Sequence, residues 1–181
     1  MTDFFQIIDD DNVESMVKER ILDWFAKNNR MPERILYYRD GVSDGQYAKV
    51  KHNEVNSIRR AFTAIQHLKK VKKRIDAKIT AVIVAKRHHT RFYPEEDKDM
   101  EGRAKNCQPG TVVDTGVTSP YFMDFFLQSH SGLQGTARPA HYFVVENGMG
   151  LTCVQLQNLV SDTDALLGCH RSFFSRILTT L

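Results

Sequence analysis

The strongest constraint on the fold is a pair of short apolar runs on either side of one long amphipathic segment. RILYY (residues 34–38) and KITAVIVAK (residues 78–86) are dense in β-branched and aromatic residues and bounded by turn residues, as buried strands are. Between them, from about residue 46 to residue 73, Tyr47, Val50, Val55, Ile58, Phe62, Ile65 and Leu68 recur at helical spacing. The segment ends in the basic KKVKKR, which suits the negative end of a helix dipole. Strand, helix and strand in this order predict a βαβ unit with a parallel pair, and so an α/β fold.

Other elements attach to this frame. Val13, Met16, Val17, Ile21, Trp24 and Phe25 predict an amphipathic helix over 11–27, ended by Asn28, Asn29 and Pro32. DGVSDG (40–45) supplies turn residues and a Ser or Asp N-cap. Residues 94–110, polar and carrying Gly102, Pro109 and Gly110, read as an exposed loop. Strands are predicted over 111–117, 122–129 and 141–146, with a polar connection over 130–140. From Val160 onward a short helix fits, without a clear relation to what precedes it.

A chain of 181 residues suits one domain, and 41% hydrophobic with 26% charged residues is the balance of a soluble globular protein. No apolar run approaches a membrane span, and Met1 is followed by acidic and aromatic residues instead of a signal peptide. The chain is therefore expected inside the cell, in the cytoplasm and in the nucleus besides, with no membrane partner. The 3 cysteines, Cys107, Cys153 and Cys169, form no C-x-x-C pair and read as reduced thiols. A net charge of +3 is small, but basic residues gather at KKVKKR (69–74) and KRHHTR (86–91).

Three places carry chemistry. Asp40 stands at the carboxyl end of a predicted strand, where α/β sheets collect ligands, and is either a magnesium ligand or a cap for the turn that follows. Lys86, Arg87 and Arg91, followed by Phe92 and Tyr93, suit phosphate oxygens or form a solvated basic loop. Alternation along a strand sends His88 and His89 to opposite faces, which argues against a shared metal. Arg138 lies in a Gly- and Ser/Thr-containing loop that lets backbone amides approach an anion, while His130 and His141 read as a loop and a strand histidine satisfied by neighbours.

RILYYRDGVSDGQY, VIVAKRHHTRFYP and PGTVVDTGVTSPYFMDFFLQSHSGLQGTARPAHYFVV together resemble the second half of the Piwi domain of eukaryotic Argonaute proteins, over residues 13–159. The resemblance implies a partial ribonuclease H-like fold, a mixed sheet flanked by helices, that holds a small guide RNA paired to a target RNA in gene silencing. Slicing members cut the target with a magnesium-dependent Asp-Glu-Asp-His set. Asp40 is similar to the second aspartate of that set. Lys86, Arg91, His130 and Arg138 match positions that contact guide phosphates, with Arg87 beside them.

The departures shape the expected activity. The family's first catalytic aspartate would lie upstream of Met1, Ile8 stands where the glutamate belongs, beside Asp9, Asp10 and Asp11, and the histidine's Pro-Ala-Tyr-Tyr-Ala-like stretch is missing. The expectation is a Piwi fragment, short at both ends, that binds RNA and does not slice. Residues 1–159 are expected to be the Piwi portion and 160–181 a tail unlike the family, read through from an intron. The alternatives are an active magnesium-dependent slicer completed from elsewhere, or an interaction module in which Phe122, Phe125 and Phe126 receive Trp-containing partner segments.

Overall fold

The computed structural model describes residues 10–71, 74–130, 132, 135–166 and 176–180, with side chains between Glu14 and Ser161. The chain divides into two units, residues 1–82, 145–149 and 174–181, and residues 83–144 and 150–173.

The first unit holds helix α1 (Asp10–Asn28), strand β1 (Arg34–Asp40), the short helix α2 (Tyr47–Lys49), helix α3 (Val55–Leu68), most of strand β2 (Lys78–Ala85), the end of strand β7 (Ala140–Asn147) and strand β8 (Arg176–Thr180). Its sheet order is β7-β2-β1-β8, so β2 neighbours β1 as a βαβ unit requires. Strand β8 runs antiparallel to β1, from Arg34 opposite Thr180 to Tyr38 opposite Arg176. Val17 and Ile21 of α1, Ile35 and Tyr37 of β1, Val55, Ile58, Phe62 and Ile65 of α3, and Ile79 and Ala81 of β2 form one buried cluster. The α3 positions are three or four apart, which places them on one helix face. Gly148 donates its N–H to Ile79 O at 2.8 Å, and a Cβ there would lie 2.4 Å from that oxygen. Only glycine permits so close an approach.

The single helix predicted over 46–73 is instead a chain of unlike turns. A 3-10 turn (Asp44–Gln46) leads into α2, a π turn (Val50–Glu54) follows, and regular α-helix begins only at Val55. Helix α3 also stops at Leu68, short of the basic run. Lys70 turns left-handed at φ 49°, Val71 donates to Gln66 O at 3.1 Å, and the Gln66 amide pairs with both backbone groups of Ile75 at 2.8 and 2.9 Å. The exit is thus a capped turn fastened by a side chain.

In the second unit the order is β5-β6-β7-β2, with β5 (Thr111–Val113) and β6 (Asp124–Gln128) antiparallel, and β6 antiparallel to β7. Every residue of β6 is buried. Phe125 stacks on its cross-strand partner Tyr142 with centroids 5.2 Å apart. The strand predicted to reach residue 117 ends at Val113, because Val117 donates back to Thr115 O at 2.9 Å and Gly116 takes φ 78°. The loop predicted over 94–110 contains a small hairpin, β3 (Met100–Glu101) with β4 (Asn106–Cys107), and buries Asn106. Helix α4 (Cys153–Leu166) runs across Val160, the residue at which the tail was expected to begin, and buries Leu156 and Val160. No helix among the described residues is long and apolar enough to cross a membrane.

Candidate nucleic-acid interface

Asp40 closes β1 and is half-buried, followed by Gly41 at φ 82°. The short helical turn that follows is capped by another residue: Ser43 is the N-cap of the 3-10 turn, and Gln46 Oε1 accepts from the Ser43 N–H and hydroxyl at 3.1 and 3.2 Å. The preceding Arg39 donates from Nη1 to the Asp40 carbonyl and from Nε to both carboxylate oxygens of Glu54 at 3.0 Å. Tyr37 Oη also donates to Glu54, at 2.6 Å. Glu54 is the last residue of the π turn, and that turn rotates its carboxylate toward β1.

Magnesium takes a nearly octahedral set of oxygen ligands. Among the described residues, no group of three His, Cys, Asp or Glu side chains is arranged to hold a metal, and Glu54 is committed to Arg39 and Tyr37. These residues do not fit a two-metal centre. Ile8 and Asp9 lie outside the described residues, as do the side chains of Asp10 and Asp11.

The basic candidates all belong to the second unit. Lys86 and Arg87, just past the end of β2, are exposed, and Arg138 is exposed in the connection before β7. Arg91 is half-buried and curls onto its own main chain, donating from Nη1 to Thr90 O at 2.6 Å and to His88 O at 3.2 Å. His130 is half-buried and its carbonyl accepts from the Gln128 amide at 2.6 Å.

The link between the two basic segments is His88. Its Nε2 lies 2.9 Å from Pro139 O, and since a carbonyl can only accept, Nε2 carries the proton. This contact draws residues 86–91 and the Arg138 loop together. The His88 ring packs edge-on against Phe126 at 5.3 Å, and Phe126 stacks on His141 at 4.2 Å. Burial lowers the His88 pKa, the Pro139 carbonyl opposes the shift, and the neighbours His141, Arg91 and His89 add to it. The imidazole therefore serves as a neutral donor that holds the loop.

Two contributors escaped the sequence reading. His141 Nε2 pairs with Asp124 Oδ2 at 2.7 Å, and Asp124 Oδ1 accepts from Ser119 N at 2.9 Å, so the strand histidine is satisfied by a buried carboxylate at a position read only as strand. Asn106 reaches into the Arg138 loop from a segment that looked like solvent-exposed turn. Of the three phenylalanines considered for Trp-containing segments, Phe125 and Phe126 are buried and belong to the core, while Phe122 is 62% exposed. Burial also raises the thiol pKa values of Cys107 and Cys153, which keeps both protonated and weakly nucleophilic.

Comparison with known proteins places this geometry. The family model described as Piwi domain matches residues 5–170. Protein argonaute 5 of Arabidopsis thaliana is 42% identical over 149 residues, a stretch that covers 81% of this chain and 14% of the relative. The C-terminal lobe of a budding yeast Argonaute superposes with a TM-score of 0.79 at 33% identity, over 87% of this chain and 32% of that one. The Argonaute of Kluyveromyces polysporus, solved with a guide RNA, gives 0.76 at 33% identity, over 88% of this chain and 18% of its own. The chain thus spans a small part of the curated relatives it matches.

Proposed function

Because this chain belongs to the Piwi domain family, with the mixed α/β, ribonuclease H-like arrangement of Argonaute lobes, we propose that it binds the phosphate backbone of a small guide RNA in RNA silencing. Lys86, Arg87, Arg91, His130 and Arg138 make the contacts, and base pairing with a target RNA supplies the sequence specificity. The observation that supports this reading most is the 2.9 Å contact from His88 to Pro139 O, which ties two basic segments to each other. Guanidinium and ammonium groups bind phosphate oxygens strongly, and such contacts position a strand without reading its bases. The guide RNA bound by the Kluyveromyces polysporus Argonaute supports the choice of ligand. The cytoplasm, and the nucleus besides, are the compartments that accompany it.

Cleavage is not part of this role for the described residues. Asp40 stands in the position of a slicer aspartate, but magnesium-dependent cutting would require the remaining ligands from elsewhere. The tail after Leu159 retains its own proposal of intron read-through, which sequencing of the transcript across that codon tests.

Binding of short single-stranded RNA measured at rising salt tests the main reading. The logarithm of the affinity should fall linearly with the logarithm of salt, and Arg138→Ala should make that slope shallower by somewhat under one while weakening all sequences alike. Affinity that ignores salt would overturn the reading. Magnesium-dependent cleavage of guide-paired RNA that disappears in Asp40→Ala would establish the slicer instead. The exposure of Phe122 supports a second reading, in which a Trp-containing segment docks beside it; a Phe122→Ala variant that binds such a peptide as well as the parent would dismiss it.

A further inference from the structure

We infer that Asn106 and His88 are positioning residues that clamp the backbone on either side of Arg138 and set where its guanidinium meets an anion. This rests on the proposal that Arg138 contacts RNA phosphate. Asn106 is only 4% exposed although it lies in a polar, turn-rich segment. Its Oδ1 accepts from the Ala137 N–H at 2.9 Å, and its Nδ2 donates to Gly135 O at 3.0 Å. A buried amide that satisfies two main-chain groups of one loop acts as the post around which that loop is wound. Gly132 leans on the same post, since a Cβ there would lie 2.7 Å from Asn106 Nδ2.

On the far side of Arg138, Pro139 is buried and its carbonyl accepts from His88 Nε2 at 2.9 Å. The main chain is thus held one peptide group out on each side of Arg138, at the N–H of residue 137 and the carbonyl of residue 139. Proline narrows the choice further: its own φ is fixed, and the residue before it is driven toward extended backbone. Arg138 thus carries an exposed side chain on a main chain restrained on both sides. A cation held this way meets its phosphate without an ordering cost in the loop, so loosening either clamp should weaken binding with every charge intact.

The test is a double-mutant cycle on the full chain, read by affinity for short single-stranded RNA. Asn106→Ala and Arg138→Ala should each weaken binding, and the double variant should be no weaker than Arg138→Ala alone, within about twofold. A loss in the double variant equal to the product of the two single losses would overturn the inference, because it would mean that Asn106 acts without Arg138. His88→Gln, which keeps a donor for Pro139 O, should retain more affinity than His88→Phe, which keeps the ring and loses the donor; equal affinities would count against the second clamp. Should Asn106→Ala fail to fold, Asn106→Asp keeps the acceptor for Ala137 and drops the donor to Gly135. Hydrogen exchange at the Ala137 amide reads the clamp independently of RNA. Exchange unchanged in Asn106→Ala, or affinity unchanged in Asn106→Asp, would overturn the clamp, whereas unchanged affinity in Arg138→Ala would overturn the phosphate reading instead.

Discussion

Glu54 and Arg138 show two opposite uses of charge. Glu54 is 10% exposed in its side chain, shares that burial with Arg39, and is closed off by the Tyr37 hydroxyl. Arg138 is exposed, and burial is reserved for the groups that hold its backbone, Asn106 and Pro139. A carboxylate whose partners surround it contributes to the integrity of the first unit and offers little to a ligand. A guanidinium in solvent on a fixed loop contributes little to stability and is open to an anion. The charges of the first unit should therefore register in unfolding experiments, and those of the second in binding experiments.

The sharpest way to break this contrast is Glu54→Ala. It removes the carboxylate that the largely buried Arg39 Nε and the Tyr37 hydroxyl both use, so the expected loss is about 3–5 kcal/mol by urea unfolding. A loss below about 1 kcal/mol, the range of exposed pairs, would place Glu54 in the same class as a surface charge. Gly132→Ala comes next. The added Cβ collides with Asn106 Nδ2, and the expected cost is about 1–3 kcal/mol, accompanied by faster exchange of the Ala137 amide. If stability falls and that amide stays protected, Asn106 is not the post of the loop.

A smaller effect follows from pH. Burial holds the His88 imidazole below its ordinary value of 6.5, with the Pro139 carbonyl opposing the shift and His141, Arg91 and His89 adding to it. As pH falls through that value the unfolded chain takes up a proton that the folded chain resists. Stability from this group is complete above pH 6.5 and declines as pH drops toward the lower folded value. Thermal unfolding between about pH 7.5 and about pH 5.5 should show the decline, and His88→Phe should flatten it. The smallest effect on binding belongs to Asp40→Asn, which should leave the salt slope of RNA binding unchanged. A changed slope would bring Asp40 into the RNA site and weaken the contrast between the regions.

What could be read in advance follows the range of the forces involved. The cores of β1 and β2 and the apolar face of α1 were legible because burial imprints itself on neighbouring residues, as runs or as a helical period. The π turn was not legible. Nothing within Val50–Glu54 asks for it, and the demand comes from Tyr37 and Arg39 on a strand 17 and 15 residues away. Asn106 was hidden for the same reason: its partners Gly135 and Ala137 lie 29 and 31 residues on, and a lone asparagine among glycine and proline reads as a turn. The basic residues were legible as types, and the resemblance aligned them with phosphate contacts. That His88 would join their segments needed the position of the Pro139 carbonyl.

The folded-back Arg91 carries a further consequence. Its guanidinium already rests on the carbonyls of Thr90 and His88, so its rotamers are narrowed before any RNA arrives. An arginine free to swing can follow a phosphate that lies out of place, at an entropic cost. One tethered to its own main chain cannot follow. In the proposed RNA-binding role it would act as a ruler more than a magnet, and a strand whose phosphate spacing departs from the one it measures should dissociate sooner, even though the charge offered to it is the same.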